Sequence, residues 1–400
     1  MTNCDDSLRD RVAGRIACAG PVSFADFMEM ALYEPSLGYY VSGKEKWGKG
    51  GDYITTLDLS PVFARIMARQ LLEMWQVLGS PGRFHIVEAG AGRGWLTKEI
   101  LRTIRGLDTA MADALHVHLV EKNPGFRSEW EGWKEEGLCF SELNWHADIS
   151  DIQGPVAGCI YSNELFDAMP FHRLVMRGGK LREIYTGLNA GGDGFKDIEG
   201  ELSTPALSGY FEGLGLELGD GQRAEVNLNL SGWIEAASDL LSEGFVITVD
   251  YGMPAWRLYE KGRSGTLMCH YRHTLNDDPY RNLGRQDITA HLDFTSLMNA
   301  GAGVGFDALG YTTQRCFMMG LGVAEDLIEL SEDSSKDSSE ESEAICYNQG
   351  IKELIMPGGI GDTMKVMVQY KPRAPAPAQS SQALISLKGF SFKDMTRTLK

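Results

Sequence analysis

Residues 84–95 read FHIVEAGAGRGW, and this stretch decides the fold. The apolar run 84–88 predicts a buried strand, and glycines 90, 92 and 94 predict a tight turn. The next residues, LTKEILRTI (96–104), predict a helix. A strand that passes through a glycine turn into a helix brings backbone N–H groups close to a ligand. The stretch therefore predicts the start of a ligand-binding α/β fold.

The glycine spacing is GxGxG rather than the GxGxxG of dinucleotide-binding turns, because Trp95 stands where that pattern requires glycine. This difference favours an adenosyl ligand over NAD, and a methyltransferase over a dehydrogenase. A turn whose glycines serve packing alone is the alternative, since many strand–turn–helix units carry two glycines for that reason.

Composition narrows the class of protein. A chain of 400 residues with 43% hydrophobic content can bury one large domain with insertions, or two smaller ones. The net charge of −17 argues against a nucleic-acid partner, because phosphate binding needs clustered Lys and Arg. It suits a basic substrate, such as an arginine-containing segment of a protein, although acidity also serves solubility.

The cellular environment is indicated by the cysteines and by the apolar runs. Seven scattered cysteines without a CxxC pair favour neither a disulfide framework nor a zinc site. The N-terminal MTNCDDSLRD lacks the features of a signal or transit peptide, and no apolar run reaches the roughly 20 residues of a membrane helix. We expect a cytoplasmic protein without a membrane partner.

The order of elements predicts an α/β fold with a doubly wound, mostly parallel sheet. Its predicted strands are 84–88, 115–122, 143–148, 158–164 and 244–252, with closing strands at 313–322 and 365–371. Before them, Ser23 is a predicted helix N-cap, and a helix is expected from Ser60–Pro61 to about Leu78. His116 and His118 alternate within a strand and are interpreted as sheet-face residues.

These elements suggest a division of the chain. Residues 1–80 would hold N-terminal helices and a loop that covers the cofactor, and 81–170 with 244–371 would form the core. An inserted subdomain is expected at 171–243. The acidic serine run 331–343 is predicted to be a disordered loop, and 372–400 a linker and tail.

Polar side chains at one edge of the predicted sheet are candidates for cofactor binding. Glu121 ends the second strand, where a carboxylate can accept hydrogen bonds from both ribose hydroxyls. Asp148 closes the third strand, near the expected adenine edge, although an aspartate there is often a turn former. Asp52 and Thr55 precede a helix, either in a lid loop or as turn residues. The candidate cofactor-binding residues are Glu88, Gly90, Gly92, Gly94, Glu121, Asp148, Asp52 and Thr55.

The fourth strand ends in SNELFDAMPF (162–171), at the edge where the substrate is expected. Asn163, Glu164 and Asp167 could hold a cation there, and a guanidinium matches paired carboxylates. The alternative is a capping box, with Asn163 as the N-cap of a short helix.

Histidines cluster in residues 269–294, namely His270, His273 and His291. Their spacing fits no zinc template, so no metal site is expected. The segment is either a structural loop or a substrate-contacting and proton-handling region, and His291 joins Asn163, Glu164 and Asp167 as a candidate catalytic residue.

Several stretches together resemble the MidA-like family of S-adenosylmethionine-dependent methyltransferases, which includes mitochondrial complex I assembly-factor arginine methyltransferases and bacterial relatives. The resemblance covers roughly residues 20–325 and 350–371, and the block from Gly265 to Leu297 is its most specific part. The stretches are LGYY, GDYITT…LSPVFA, VEAGAGRG, SNELFDAMPFHR, VDYG and GTL…YRHTLNDDPYRNLGRQDITAHLDFTSL.

The resemblance implies a seven-stranded class I methyltransferase fold with an inserted subdomain, S-adenosylmethionine as cofactor, and N-methylation of arginine in a partner protein. It implies that the three glycines and Glu121 line the cofactor, and that Asn163, Glu164 and Asp167 face the substrate. The chain departs from the family's ELGPGRG-like turn with EAGAGRG, and 331–343 looks like an insertion specific to this chain. A non-catalytic assembly protein that keeps the fold, or a small-molecule methyltransferase, are the competing hypotheses.

Overall fold

The computed structural model describes residues 7–42, 60–133, 136–192, 194–328, 338–373 and 385–400. Its helices are α1 Leu8–Ala19, α2 Phe24–Tyr33, α3 Val62–Val77, α4 Trp95–Leu107, α5 Thr109–Ala114, α6 Arg127–Glu131, α7 Pro205–Gly213, α8 Asn229–Leu240, α9 Ala255–Leu258, α10 Phe294–Gly303, α11 Gln314–Gly320, α12 Ser338–Ile355 and α13 Ile360–Thr363. Its strands are β1 Val22–Ser23, β2 Phe84–Ala89, β3 Leu115–Val120, β4 Glu142–His146, β5 Val156–Asn163, β6 His172–Arg177, β7 Lys180–Leu188, β8 Phe195–Gly200, β9 Arg223–Val226, β10 Leu241–Met253, β11 Met268–Tyr271, β12 Thr274–Asn276, β13 Asp287–Thr289, β14 Leu292–Asp293, β15 Asp307–Thr313 and β16 Met364–Lys371.

The chain forms two compact units. The larger unit comprises Ile54–Glu164, Ile234–Tyr251 and Met298–Lys400. The smaller unit comprises Met1–Tyr53, Leu165–Trp233 and Gly252–Leu297. The sequence-based boundaries differ from these: helix α3 lies in the larger unit rather than with the N-terminal helices, and 252–297 lies with the inserted segment.

The larger unit is built on a sheet with the strand order β15-β16-β10-β5-β2-β3-β4. Strands β10, β5, β2, β3 and β4 are parallel, and β16 is antiparallel to both of its neighbours. The central strands are apolar because they are buried, and helices α3 and α4 contribute their apolar faces to the same core. This is the predicted doubly wound, mostly parallel sheet.

The smaller unit is mainly antiparallel. Its first sheet has the order β1-β7-β6-β9 with β8 beside β7, and its second has the order β12-β11-β13. Helices α1 and α2 pack into one apolar cluster of this unit, and α7 and α9 into another. The hydroxyl of Ser23 accepts a hydrogen bond from the Asp26 N–H at 3.0 Å, as predicted for an N-cap.

One predicted closing strand is wrong. Residues 313–322 contain helix α11, and the strand lies just before it as β15. The Thr313 hydroxyl accepts a hydrogen bond from the Cys316 N–H at 3.2 Å and so starts the helix. Because 313–322 is largely apolar, its sequence does not separate a buried helix from a buried strand.

The expectations for two polar segments, 331–343 and 372–400, also need correction. Residues 338–343 of the acidic run lie in helix α12, while 331–337 fall outside the described residues. The tail is not a free end, because Leu387, Phe390 and Leu399 are buried in the larger unit. Phe390 contacts Phe317 with ring centroids 5.8 Å apart. The polar composition of 372–400 conceals these three apolar anchors.

No helix in the described part of the chain is both long and apolar enough to cross a bilayer. The described cysteines are free thiols at positions 18, 139, 159, 269, 316 and 346.

Candidate active site

The glycine turn follows β2 and leads into α4, as its sequence predicts. Gly90, Gly92 and Gly94 all have positive φ, at 73°, 51° and 70°. Residues other than glycine rarely adopt this left-handed backbone region, so the turn requires glycine at these three positions.

The N–H groups of the turn are used within the chain. Gly90 and Ala91 donate to the Val120 carbonyl at 2.9 and 3.1 Å, and Gly94 donates to the Ala91 carbonyl at 2.7 Å. These N–H groups therefore have acceptors within the protein, and their contact with a ligand stays a prediction. The glycines serve by forming the turn and by leaving its surface without side chains, which allows a ligand to approach the backbone closely.

Gly94 is also a packing residue. A Cβ there would lie 2.7 Å from Cη2 of Trp133 and 2.9 Å from Nε1 of Trp130, and both tryptophans are buried. The third glycine thus lets the start of α4 approach two indole rings, which agrees with the packing alternative for this one position.

Glu121 lies beside the turn, as the resemblance implies. Its carboxylate accepts the Gly92 N–H at 2.9 Å and the Asn123 N–H at 2.8 Å. A carboxylate offers about four lone-pair positions, so the same group can also accept hydroxyl donors. The side-chain-free surface of the glycine turn and the acceptor positions of Glu121 are compatible with an adenosyl ligand, and a contact between Glu121 and its ribose stays a prediction.

Glu88 has a different environment from the one expected of a ligand-binding residue. It is 5% exposed, and its carboxylate accepts hydrogen bonds from the Thr97 N–H and hydroxyl. The Thr97 and Tyr161 hydroxyls are 2.5 Å apart and extend this buried chain. Burial raises the pKa of Glu88 to about 8. Glu88 therefore connects β2 to the first turn of α4 and supports the glycine turn from within.

Asp148 forms a capping box at the end of β4. Its carboxylate accepts from the N–H and hydroxyl of Ser150, and Asp151 accepts from the Asp148 N–H. The Ser150 N–H holds the pKa of Asp148 below its ordinary value. This geometry matches the turn-former alternative, and a contact with adenine stays a prediction. Asp52 and Thr55 lie outside the described residues.

Asn163 is the last residue of strand β5 and Glu164 follows it, and no helix starts at Asn163, so the capping-box alternative is wrong. Glu164 has a φ of 53°, a strained conformation for a non-glycine residue, and its N–H donates to the Val249 carbonyl at 2.9 Å. Its carboxylate accepts the Asn163 side-chain N–H at 3.1 Å. The buried Oδ1 of Asn163 has no partner among the described residues. This pair of acceptors suits a ligand that only donates hydrogen bonds.

Asp167 and His291 belong to the smaller unit, where the fold brings their segments together. Asp167 is buried, and its carbonyl accepts the Ala290 N–H at 3.0 Å. The His291 N–H donates to the Thr266 hydroxyl at 3.0 Å. His270 lies in β11 and His273 in the turn that follows, and no group of three or more metal-binding side chains is assembled within the described ranges.

Sequence reasoning missed a buried polar network in the smaller unit. The Asp293 carboxylate accepts the Tyr210 hydroxyl at 2.9 Å and the Ser296 hydroxyl at 2.7 Å. The Glu225 carboxylate accepts the Thr266 N–H at 2.7 Å. Burial raises the pKa of both acids. One feature of the sequence pointed to this network: Asp293 directly precedes the apolar stretch 294–303, where the N-cap of a helix is expected.

Comparison with known proteins agrees with this geometry. Residues 66–312 match the family model of S-adenosyl-L-methionine-dependent methyltransferases. The protein arginine methyltransferase NDUFAF7 of Danio rerio is 27% identical over 80% of this chain and 78% of its own length. The Drosophila melanogaster homologue is 28% identical over 72% of this chain and 68% of its own length.

A solved structure resembles the whole chain. It is that of a COG1565 superfamily member from Burkholderia thailandensis bound to S-adenosyl-homocysteine, with 27% identity and a TM-score of 0.84. The match covers 98% of this chain and 96% of that one. The family match, the sheet order and the turn with its carboxylate agree on both the fold and the cofactor. The chain belongs to the MidA-like family of methyltransferases, with S-adenosylmethionine as its cofactor.

Proposed function

We propose that this methyltransferase N-methylates arginine in a partner protein. The observation that carries the proposal is the acceptor pair at the end of β5, where the Glu164 carboxylate and the unpartnered Oδ1 of Asn163 lie side by side. A guanidinium has five N–H donors and no acceptor, so it complements such a pair. The relatives with 25–28% identity that bear the name of protein arginine methyltransferase support the same substrate.

In methyl transfer, the residues of this chain would bind the cofactor and orient the two reactants. S-adenosylmethionine supplies an electrophilic methyl group when it is bound. The glycine turn and Glu121 would fix its adenosyl part, and Glu88 would keep the turn rigid from below. Because a protonated guanidinium is a poor nucleophile, orientation and desolvation must supply most of the rate.

Glu164 is the proposed catalytic carboxylate. Its left-handed backbone and the Asn163 amide hold its Oε1 in a defined direction. From there it would draw the positive charge of the guanidinium toward one nitrogen and leave the other nitrogen to attack the methyl group. The proton released on N-methylation would pass to the Glu164 carboxylate and from there to solvent. His291 and Asp167, in the smaller unit, remain proposed for substrate contact.

The test incubates the full chain with S-adenosylmethionine that carries a labelled methyl group and with protein extract. We expect label in methylarginine after acid hydrolysis. Glu164→Gln should lower the rate about 100-fold while S-adenosylhomocysteine binds as before. The matched control is Glu235→Gln, at an exposed position of α8, with wild-type activity expected.

Three outcomes contradict the proposal. Label only in small molecules points to a small-molecule methyltransferase, and no label at all points to a non-catalytic assembly protein. An unchanged rate in Glu164→Gln removes Glu164 from the reaction.

The free thiols of the described residues favour a reducing compartment, and we propose the cytoplasm. Fractionation of cells that express the tagged full chain tests this, and recovery with a membrane-enclosed organelle would contradict it.

A further inference from the structure

The smaller unit has an open groove that neither the cofactor turn nor the β5 acceptor pair uses. Its volume is about 740 Å³, which is enough for several side chains of a peptide. We name it the Trp256 groove. The residues that matter to its chemistry are Glu212, Glu217, Trp256, Tyr259, Glu260 and Lys261.

The backbone at Tyr259 and Glu260, which line the Trp256 groove, is held by the buried side chain of Gln222. Gln222 is 5% exposed, and its side-chain N–H group donates to the carbonyls of Tyr259 and Glu260, each at 3.1 Å. Its side-chain oxygen accepts the Gly219 N–H at 2.8 Å, two residues beyond Glu217 of the groove lining. The buried Tyr259 ring meets Phe211 edge-on with centroids 5.0 Å apart. The groove is therefore preformed, which lowers the entropy lost when a ligand binds.

The groove combines an exposed indole with negative charge. Trp256 is 51% exposed, so about half of its indole surface is in contact with solvent. Glu212, Glu217 and Glu260 are exposed, and Lys261 is the single cation among the groove's lining residues. None of the three glutamates forms an ion pair with another described residue, whereas many surface glutamates of this protein do.

We propose that the Trp256 groove binds an arginine-bearing segment of the protein substrate, outside the position where methyl transfer occurs. The inference rests on the proposed function for the nature of the substrate. A guanidinium can stack on the face of Trp256 and donate to the glutamates at the same time, which a compact ammonium group cannot do equally well. The unpaired carboxylates supply the complementary charge, and the net charge of −17 attracts basic segments to this protein.

The test measures binding without the cofactor, by fluorescence anisotropy of a short labelled peptide of alternating arginine and glycine. A peptide with lysine in place of arginine is the second probe. The groove variants are Trp256→Ala and a triple change of Glu212, Glu217 and Glu260 to Gln. The matched controls are Phe392→Ala, at an aromatic side chain that is 54% exposed, and a triple change at exposed acids: Asp113→Asn, Glu235→Gln and Asp239→Asn.

We expect the full chain to prefer the arginine peptide, and each groove variant to bind it about tenfold more weakly. The controls should keep wild-type affinity. The substituted side chains are exposed, so circular dichroism should show an unchanged fold.

Wild-type affinity in the groove variants overturns the proposal, and so does equal affinity for the lysine peptide. Loss of binding in the controls as well as in the groove variants also overturns it, because a diffuse charge effect then explains the result. Arginine methylation is assayed separately, so its absence in the wild type would contradict the proposed function and leave the peptide result standing.

Discussion

Replacing Glu88 by Gln should change how stability depends on pH. Glu88 is buried beneath the glycine turn, and its pKa is raised from 4.5 to about 8 by loss of solvent. In the unfolded chain the carboxyl group ionises near its ordinary pKa, so above pH 4.5 the folded state binds more protons than the unfolded state. The stability that the protonated group contributes is complete below pH 4.5 and is lost progressively as pH rises to about 8.

The magnitude follows from linkage. Each pH unit between the two pKa values removes about 1.4 kcal/mol of unfolding free energy. Between pH 6 and pH 9 the wild type should therefore lose about 2–3 kcal/mol more than Glu88→Gln. Gln resembles the protonated carboxyl group, and its side-chain oxygen can still accept from the Thr97 N–H and hydroxyl.

The assay is urea unfolding at pH 6, 7, 8 and 9, and the quantity compared is the difference in unfolding free energy between wild type and variant. His85 and His118, whose pKa values are lowered to about 4 by burial, do not titrate in this range. Glu235→Gln, at an exposed glutamate, should follow the wild type. Parallel curves for wild type and Glu88→Gln would refute the reasoning, since they would mean that Glu88 is ionised in the folded protein at pH 6.

Two further predictions concern the turn. Gly94→Ala should lower the unfolding free energy by about 2–5 kcal/mol, because it adds a clash with Trp130 and Trp133 to a positive φ. The control is Gly79, which has a φ of 80° and open space around it, so Gly79→Ala should lower the unfolding free energy by only about 1–2 kcal/mol in the same urea titration. An equal loss at both sites would contradict the packing role of Gly94. Glu121→Gln should weaken S-adenosylhomocysteine binding about tenfold by calorimetry, because it removes the charge that strengthens hydroxyl hydrogen bonds; unchanged affinity would exclude a ribose contact.

Much of the fold was predictable because its signals are local. The strand, glycine turn and helix of residues 84–104 occur as their sequence predicts, and β3, β4, β5 and β10 lie close to their predicted ranges. Alternation also placed His116 and His118 correctly within a strand. The failure at 313–322 arose because a short apolar run fits a buried helix and a buried strand equally well.

Other features depend on strand register, which no local pattern specifies. The register of β2, β3 and β4 brings together His85, His118 and His146. Ring nitrogens of His85 and His118 are 2.9 Å apart, and those of His118 and His146 are 3.1 Å apart. Four of the eight histidines of the chain, His116 included, lie on these neighbouring strands, although the sequence suggested a cluster at 270–291 instead.

The sequence alone indicated candidate cofactor-binding residues: three glycines after a buried strand, an acid after the next strand, and an aspartate after the strand that follows. Only the tertiary structure decided how they act. In the folded protein, N–H groups of the turn donate to the Val120 and Ala91 carbonyls and to the Glu121 carboxylate, and Glu88 is buried. Conformational preference acts over a few residues, whereas hydrogen-bond partners and pKa values depend on desolvation by residues distant in the chain.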